Sequence, residues 1–197
     1  MTATSDARGT HSKIPSMEEL QTRVKKCTSC PLCEGRTNTV FGEGPAPARV
    51  MIIGEAPGRN EDIQGRPFVG AAGRLLDELL AEAGLRRSDV YIANVLKCRP
   101  PSNRDPRPEE IGQCADYLRD QVRIVSPEII ITLGNFATRF ILKTDKGITS
   151  LHGKPERTGR FVVYPVYHPA AALYDPTKKD ALAKDFRALR GLLDASR

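Results

Sequence analysis

The chain has 197 residues, of which 40% are hydrophobic and 27% charged, enough to bury the core of one ordinary domain. These proportions exclude wholesale disorder and a collagen-like repeat. The longest apolar run, residues 129–133, is far shorter than the roughly 20 residues that a membrane-spanning helix requires. The first residues also lack the apolar stretch of a secretory signal. We therefore expect a cytoplasmic protein with no membrane contact.

The net charge and the cysteine count indicate which partners and which cysteine roles to expect. The formal net charge of +6 is typical of proteins that bind phosphate-rich partners, although many proteins without a nucleic-acid role are equally basic. The five cysteines form an odd number in a chain without a secretory signal. This count argues against a disulfide framework and favours metal ligation or catalysis.

The N-terminal region is predicted to contain a tail and one short helix. Residues 1–15 are small and polar, which predicts a flexible tail ahead of a single domain over residues 16–197. Ser16 and Glu19 have the spacing of a capping box, which predicts a helix that ends near Lys26.

From residue 50 onward, strand-like and helix-like patterns alternate. Continuous apolar runs predict strands at residues 50–53, 90–96, 129–133 and 161–166. Apolar residues at helical spacing predict helices at residues 71–83, 108–125, 134–142 and about 179–193. This alternation predicts an α/β domain in which helices cover both faces of a four-stranded parallel sheet.

Three polar segments follow the predicted strands. They are GEAPG after the first strand, residues 94–98 at the end of the second, and YHPAA after the fourth. Ligand sites in parallel sheets form at the carboxyl ends of the strands. We therefore expect these segments to meet at one site.

Four residues in or near these segments are candidates for binding or chemistry, each with a purely structural alternative. Glu55 belongs to a loop that could hold a polar ring or an oxyanion, or to a plain turn. Phe68 could stack on a base or belong to the core. Asn94 carries a buried amide that either a base edge or neighbouring backbone could satisfy. His168, at a strand end, could donate a proton or act as an electrophile.

Basic residues gather near the same strand ends. Such residues could contact phosphate groups, or they could form an ordinary solvated face. They are Lys97, Arg99, Arg104, Arg107, Lys178 and Lys179.

The cysteines have a spacing typical of a metal site. Cys27, Cys30 and Cys33 form a C-x2-C-x2-C run, in which the short turns can direct the sulfurs to one metal or cluster. Cys98 and Cys114 could complete a four-thiolate site, or they could be small buried core residues. The spacing does not separate zinc from iron–sulfur.

The segments taken together resemble a known family. CTSC, GEAPG, GRPFVG, YIANVLKCRPP, Cys114, TLG and YHPA occur in this order from about Cys27 to the last helix. This ordered set resembles the family-4 uracil-DNA glycosylases, the iron–sulfur branch of that superfamily. The resemblance implies a three-layer α/β fold with a mostly parallel sheet. It also implies a monofunctional hydrolase that removes uracil from DNA at the start of base excision repair, leaving an abasic site.

The resemblance also implies a cofactor and its ligands. A [4Fe–4S] cluster would be held by Cys27, Cys30, Cys98 and Cys114, while Cys33 lies where the family does not require a cysteine. We expect this cluster to be structural, because it would close a long loop of the chain. Uracil-containing DNA is the implied partner, and we expect a monomer.

By the same resemblance, three residues would bind the base once it has left the DNA stack. Phe68 would stack on the flipped uracil, Asn94 would read its polar edge, and His168 would face its O2 atom. A donor at O2 would stabilise the negative charge that grows on uracil as the glycosidic bond breaks.

The sequence departs from better-studied relatives at the residue that handles the attacking water. Those relatives have an acid where this chain has Ala56, which would line the pocket near the sugar together with Glu55. We therefore expect Glu55 or Glu61 to position the water. Leu173 or Tyr174 could insert into the gap left by the flipped base.

Two other functions remain open at this stage. Because Ala56 replaces an acid, the chain could be a non-catalytic iron–sulfur protein that binds nucleic acid. It could also be an α/β domain that binds small nucleotides.

Overall fold

The computed structural model describes residues 14–195, so most of the predicted N-terminal tail lies outside the described residues. The helices and strands of this part of the chain are, in order, α1 (Met17–Lys25), α2 (Leu32–Gly35), β1 (Val50–Gly54), α3 (Arg59–Gln64), α4 (Ala71–Glu82), β2 (Val90–Asn94), α5 (Pro108–Val125), β3 (Ile129–Leu133), α6 (Gly134–Leu142), α7 (Ile148–Leu151), β4 (Glu156–Thr158), β5 (Phe161–Val166), α8 (Pro169–Ala172) and α9 (Pro176–Ala195). Among residues 14–195, no helix combines the length and apolar composition needed to span a bilayer.

The described strands form one mixed sheet in the order β2-β1-β3-β5-β4. β1 pairs in parallel with β2 and β3, and β3 with β5, whereas β4 is antiparallel to β5. The predicted α/β class is confirmed, but the prediction of four strands is wrong. The missed strand β4 has three residues, none of them hydrophobic, so it carries no apolar pattern.

Helices cover both faces of the sheet. Val50 and Ile52 pack on one face in a core with leucines of α4 and α9. Met51 and Ile53 point to the other face and pack with α5 and α6 residues such as Leu118. Because both faces are buried, β1 has a continuous apolar sequence rather than an alternating one.

Local hydrogen bonds explain where the first and last helices begin. The predicted capping box is confirmed, since the Ser16 hydroxyl accepts from the Glu19 N–H at 3.2 Å and the Glu19 carboxylate accepts from the Ser16 N–H at 2.8 Å. The last helix begins at Pro176, earlier than predicted. Asp175 accepts from the N–H groups of residues 177 and 178, which caps this helix start.

The second strand is shorter than predicted, and its continuation brings the loops together. β2 ends at Asn94. Beyond it, the N–H groups of Val95 and Leu96 donate to the carbonyls of Gly54 and Glu55 at 2.9 and 3.0 Å. These bonds hold the loop after β1 beside the loop after β2, at the carboxyl edge of the sheet.

Candidate active site

A cavity of about 300 Å³ lies at the carboxyl ends of β1, β2 and β5. Its lining includes all of the residues predicted to bind or process a base, namely Glu55, Ala56, Glu61, Phe68, Asn94 and His168. The volume lies at the small end of the range for ligand sites in proteins. We call this space the base cavity.

Phe68 forms one wall of the base cavity and is held in an unusual backbone conformation. Its side chain is buried, and its φ angle is +52°, in the left-handed region that bulky residues rarely occupy. The ring lies against Gly54, where an added Cβ would collide with both Phe68 and Asn94. Glycine at position 54 therefore leaves room for the wall and for the amide beside it.

Asn94 supplies the amide of the base cavity. Asn94 is 2% exposed, and its Oδ1 atom has no hydrogen-bond partner within the described chain. A buried acceptor without a donor is costly, so proteins rarely leave one unsatisfied. A ligand with a hydrogen-bond donor beside an acceptor would complement this amide.

His168 is held as a neutral hydrogen-bond donor. Burial lowers its pKa to about 4, although the charge of Glu61 acts in the opposite direction. Its Nδ1 atom accepts from the N–H of Ala170 at 3.1 Å, so the single proton of the neutral ring lies on Nε2. The residue can therefore stabilise a developing negative charge without first becoming charged.

Glu55 is the carboxylate with a perturbed pKa in the base cavity. Burial raises its pKa to about 7, and the nearby charge of Asp105 adds to this shift. Neither of these causes is a hydrogen bond to the Glu55 carboxylate. A carboxylate that titrates near neutral pH is suited to accept a proton from water.

Glu61 has a different environment from Glu55. One carboxylate oxygen, Oε1, accepts from the N–H groups of Val69 and Gly70 at 2.9 and 3.1 Å. These bonds fix the loop that follows Phe68. One oxygen of Glu61 is thus engaged by the protein itself.

A second cavity, the thiol cavity, lies beneath the loop after β2. All five cysteines line it, and all are free thiols: Cys27, Cys30, Cys33, Cys98 and Cys114. No group of three or more His, Cys, Asp or Glu side chains within residues 14–195 is arranged to hold a single metal ion. The thiols of this cavity come from three separate parts of the chain, namely residues 27–33, residue 98 and residue 114.

Thiols of this kind are ligands of both zinc ions and iron–sulfur clusters. Zinc requires four ligands around one point, with sulfurs at about 2.3 Å from the metal. A [4Fe–4S] cluster binds one thiolate at each iron, so its four sulfurs need not converge. The thiol cavity supplies sulfur donors of the kind that such a cluster needs.

Two cationic side chains lie beside the thiols. Arg36 donates to the Cys98 sulfur at 3.2 Å. Lys97 is 1% exposed and donates to the Asn94 carbonyl at 2.7 Å and to Gln121 at 2.6 Å. The suggestion that Lys97 contacts phosphate is therefore wrong, because its side chain is enclosed by the protein.

The other basic residues singled out from the sequence differ in their surroundings. Arg104 lines the base cavity and pairs with Glu110, and Lys178 pairs with Asp175. Arg99 donates to Asn103 at 2.7 Å. Arg107 and Lys179 are exposed to solvent.

Two hydrophobic side chains are exposed near the base cavity. Leu173 and Tyr174 follow the short helix that begins after His168, and they are 39% and 91% exposed.

Arg87 is a residue of the site that the sequence did not predict. Its guanidinium donates to the carbonyls of Pro67 and Phe68, so it contacts the backbone of the Phe68 wall. The residue lies in a polar stretch, RRSD, with no motif or apolar pattern. Nothing in the local sequence distinguishes it from the neighbouring Arg86.

Comparison with known proteins identifies the class. The family model described as the uracil DNA glycosylase superfamily matches residues 41–190, more than half of the chain. The chain belongs to this superfamily.

Individual relatives place it more narrowly. A type-4 uracil-DNA glycosylase of Thermotoga maritima is 50% identical over 159 residues, covering 80% of this chain and 83% of that protein. One from Archaeoglobus fulgidus is 47% identical over 184 residues, covering 89% and 92%. One from Sulfurisphaera tokodaii is 46% identical over 188 residues, covering 91% and 86%. Within the superfamily, the chain is a member of the type-4 family.

Proposed function

We propose that this protein is a DNA-repair hydrolase that removes uracil from DNA. It hydrolyses the bond between uracil and deoxyribose, releases free uracil and leaves an abasic site, the first step of base excision repair. The observation that carries this proposal is the unpartnered amide oxygen of Asn94, which lies in the same cavity as the Phe68 ring and the neutral donor His168.

The base cavity suits uracil. Uracil carries an N3–H donor next to the O4 acceptor, which complements the acceptor and donor of the Asn94 amide. Phe68 offers a ring face on which the base stacks, and such stacking favours a base that has left the helix. Recognition therefore requires the uracil to be flipped out of the DNA.

His168 assists departure of the base. As the C1′–N1 bond breaks, its electron pair moves to uracil, and negative charge accumulates at O2. The Nε2–H of neutral His168 donates to that oxygen. Its hydrogen bond strengthens as the charge grows, which lowers the barrier rather than merely binding the substrate.

Glu55 directs the attacking water, because position 56 is an alanine and carries no acid. The water oxygen forms a bond to C1′ of the cationic sugar, and Glu55 accepts a proton from that water. Its pKa of about 7 is close to the working pH, where a general base is most effective. Glu61 is the second candidate, with its Oε2 atom, since Oε1 already accepts two backbone N–H groups.

A [4Fe–4S] cluster is the proposed cofactor. Cys27, Cys30, Cys98 and Cys114 would hold it, with Cys33 as a non-ligand. The cluster would link the N-terminal segment to the loop after β2 and to α5. Ala56 packs against the cluster of side chains that includes Cys98 and Cys114, so the two cavities share a wall.

Surface residues near the base cavity would contact the DNA, and the protein would act as a monomer. Leu173 or Tyr174 would fill the gap left by the flipped uracil, as inserted apolar side chains do in other DNA complexes. The exposed Arg107 and Lys179 would contact phosphates.

The test uses the purified protein with its metal content measured. A labelled duplex that contains one uracil is incubated with the protein, then half of each sample is treated with alkali. We expect strand breakage at uracil only after alkali, together with released free uracil. A duplex with thymine at the same position is the control. Iron-loaded protein that gives no alkali-sensitive site would refute the proposal.

A second function is favoured by Ala56 alone. A protein without the acid that handles water could bind DNA at the same cavity without cleaving the glycosidic bond. This alternative predicts salt-dependent binding of uracil-containing DNA without any abasic product.

A further inference from the structure

The stacking wall of the base cavity depends on a strained residue. Phe68 adopts φ +52°, a conformation that a bulky side chain holds only when its surroundings impose it. Such strain collects at ligand sites, where it fixes a side chain in advance of binding. In this protein, contacts to the backbone carbonyls and to the following backbone N–H groups impose this conformation on Phe68.

Arg87 holds the carbonyl side of this turn. Its Nη2 donates to the Pro67 carbonyl at 2.6 Å, and its Nη1 donates to the Phe68 carbonyl at 3.3 Å. Glu43 in turn accepts from Nε and Nη2 of Arg87 at 2.9 and 2.6 Å. Asp77 accepts a further bond from Nη1 at 3.1 Å.

The opposite side of the turn is held by an anion. Glu61 accepts from the N–H groups of Val69 and Gly70, the two residues after Phe68. Gly73 completes the enclosure, because a Cβ at that position would collide with the Phe68 carbonyl. A cation on the carbonyls and a carboxylate on the following N–H groups thus hold Phe68 between them.

We propose that Arg87, oriented by Glu43, is a positioning residue that keeps the Phe68 ring ready to stack on the flipped uracil. This inference rests on the proposed function and adds a residue outside the base cavity to it. Arg87 does not line the cavity, and its contacts with the cavity wall are the bonds to the Pro67 and Phe68 carbonyls. Removal of the Arg87 side chain should therefore weaken binding of the flipped uracil and leave the contacts to the DNA backbone unchanged.

Arg86 offers a matched control. It is the neighbour of Arg87 and carries the same charge, and its partner among residues 14–195 is Asp89, at the surface. Arg87→Met and Arg86→Met remove the same charge from adjacent positions. Only the first removes the bonds to the Phe68 turn.

The experiment measures single-turnover excision of uracil, inhibition by free uracil, and affinity for DNA with a stable abasic-site analogue. For Arg87→Met, we expect excision and inhibition by free uracil to weaken at least tenfold. Affinity for the base-free DNA is expected to stay within about twofold, and Arg86→Met to match the parent protein in all three. Positioning errors of this kind are known to cost up to about a hundredfold in rate.

A double-mutant cycle separates positioning from general damage. If Arg87 acts through Phe68, then Arg87→Met adds little to the loss already caused by Phe68→Ala. Additive losses, or equal effects of Arg87→Met and Arg86→Met, would overturn the proposal. Glu43→Gln and Arg87→Lys provide the same comparison if Arg87→Met folds poorly, and both are expected to give intermediate losses.

The outcome also distinguishes the inference from the proposed function. If the parent protein excises no uracil, then the proposed function fails, whatever Arg87 does. If the parent is active and Arg87→Met is equally active, then the function stands and the positioning role is wrong.

Discussion

The ring of Phe68 lies 5.8 Å from the imidazole of His168, centroid to centroid, at an interplanar angle of 30°. The two residues are separated by 100 positions in the sequence. At this distance the rings contact each other directly, so no base fits between them. Uracil must therefore stack on the open part of the Phe68 face, beside His168, and meet the histidine through its edge.

The pH dependence of excision is expected to report Glu55. Only the ionised carboxylate accepts a proton, and burial raises its pKa to about 7. The value of kcat/KM should therefore rise between about pH 5.5 and pH 8 with an apparent pKa near 7. Neutral His168, with a pKa of about 4, contributes no step in this range.

The variant Glu55→Gln tests this assignment. It is expected to lower the rate and to flatten the profile, while Glu61→Gln keeps the rise. A profile that is unchanged in Glu55→Gln but flat in Glu61→Gln would assign the water to Glu61.

Replacement of His168 is expected to slow excision strongly. His168→Ala removes the donor to O2, and loss of such a donor costs about 2–4 kcal/mol of transition-state stabilisation. The change should appear in kcat rather than in the affinity for base-free DNA. Single-turnover kinetics measure it, and a rate close to that of the parent protein would remove His168 from the mechanism.

Gly54 is expected to tolerate no side chain. A Cβ in Gly54→Ala would collide with Asn94 and Phe68, which should reduce excision by about a hundredfold and destabilise the fold by about 1–3 kcal/mol. Gly112→Ala is the control, since this glycine lies in α5 with no atom within 4 Å of the added Cβ. The control should gain up to about 1 kcal/mol of stability. Equal behaviour of the two variants in urea unfolding and excision would contradict this account.

The iron bound by cysteine-to-serine variants tests which cysteines hold the proposed cluster. Each of the variants Cys27→Ser, Cys30→Ser, Cys98→Ser and Cys114→Ser is expected to lose the brown colour, to bind less iron and to melt at a lower temperature. Cys33→Ser should keep all three properties. If Cys33→Ser lost its iron and Cys30→Ser kept it, then Cys33 rather than Cys30 would be the ligand. If the parent protein were colourless and held stoichiometric zinc, then the iron assignment would be wrong.

Much of the fold follows from local patterns that are strong in this sequence. The buried strands β1 and β3 are continuous apolar runs, and the capping box at Ser16 sets the first helix start. β4 carries no such pattern, because its three residues are polar or charged and lie at the sheet edge. It forms because β5 offers backbone groups for pairing, a tertiary effect that a local pattern does not report.

The base cavity was predictable to the extent that its residues follow strands. Glu55, Asn94 and His168 do so, and parallel strands bring their ends to one edge. Lys97 and Arg87 could not be read in this way, since each looks like a surface cation until the packing is known. Lys97 is enclosed beside Gln121, and Arg87 reaches a backbone turn 20 residues earlier in the chain.

Both borders of the sheet end in short antiparallel pairings. On one side, Glu43 exchanges two backbone hydrogen bonds with Ile92 of β2, and on the other the three residues of β4 cover β5. Within the described chain, an incoming molecule therefore finds only brief stretches of open strand to extend. We therefore expect these short pairings to disfavour intermolecular β-pairing when the protein is concentrated.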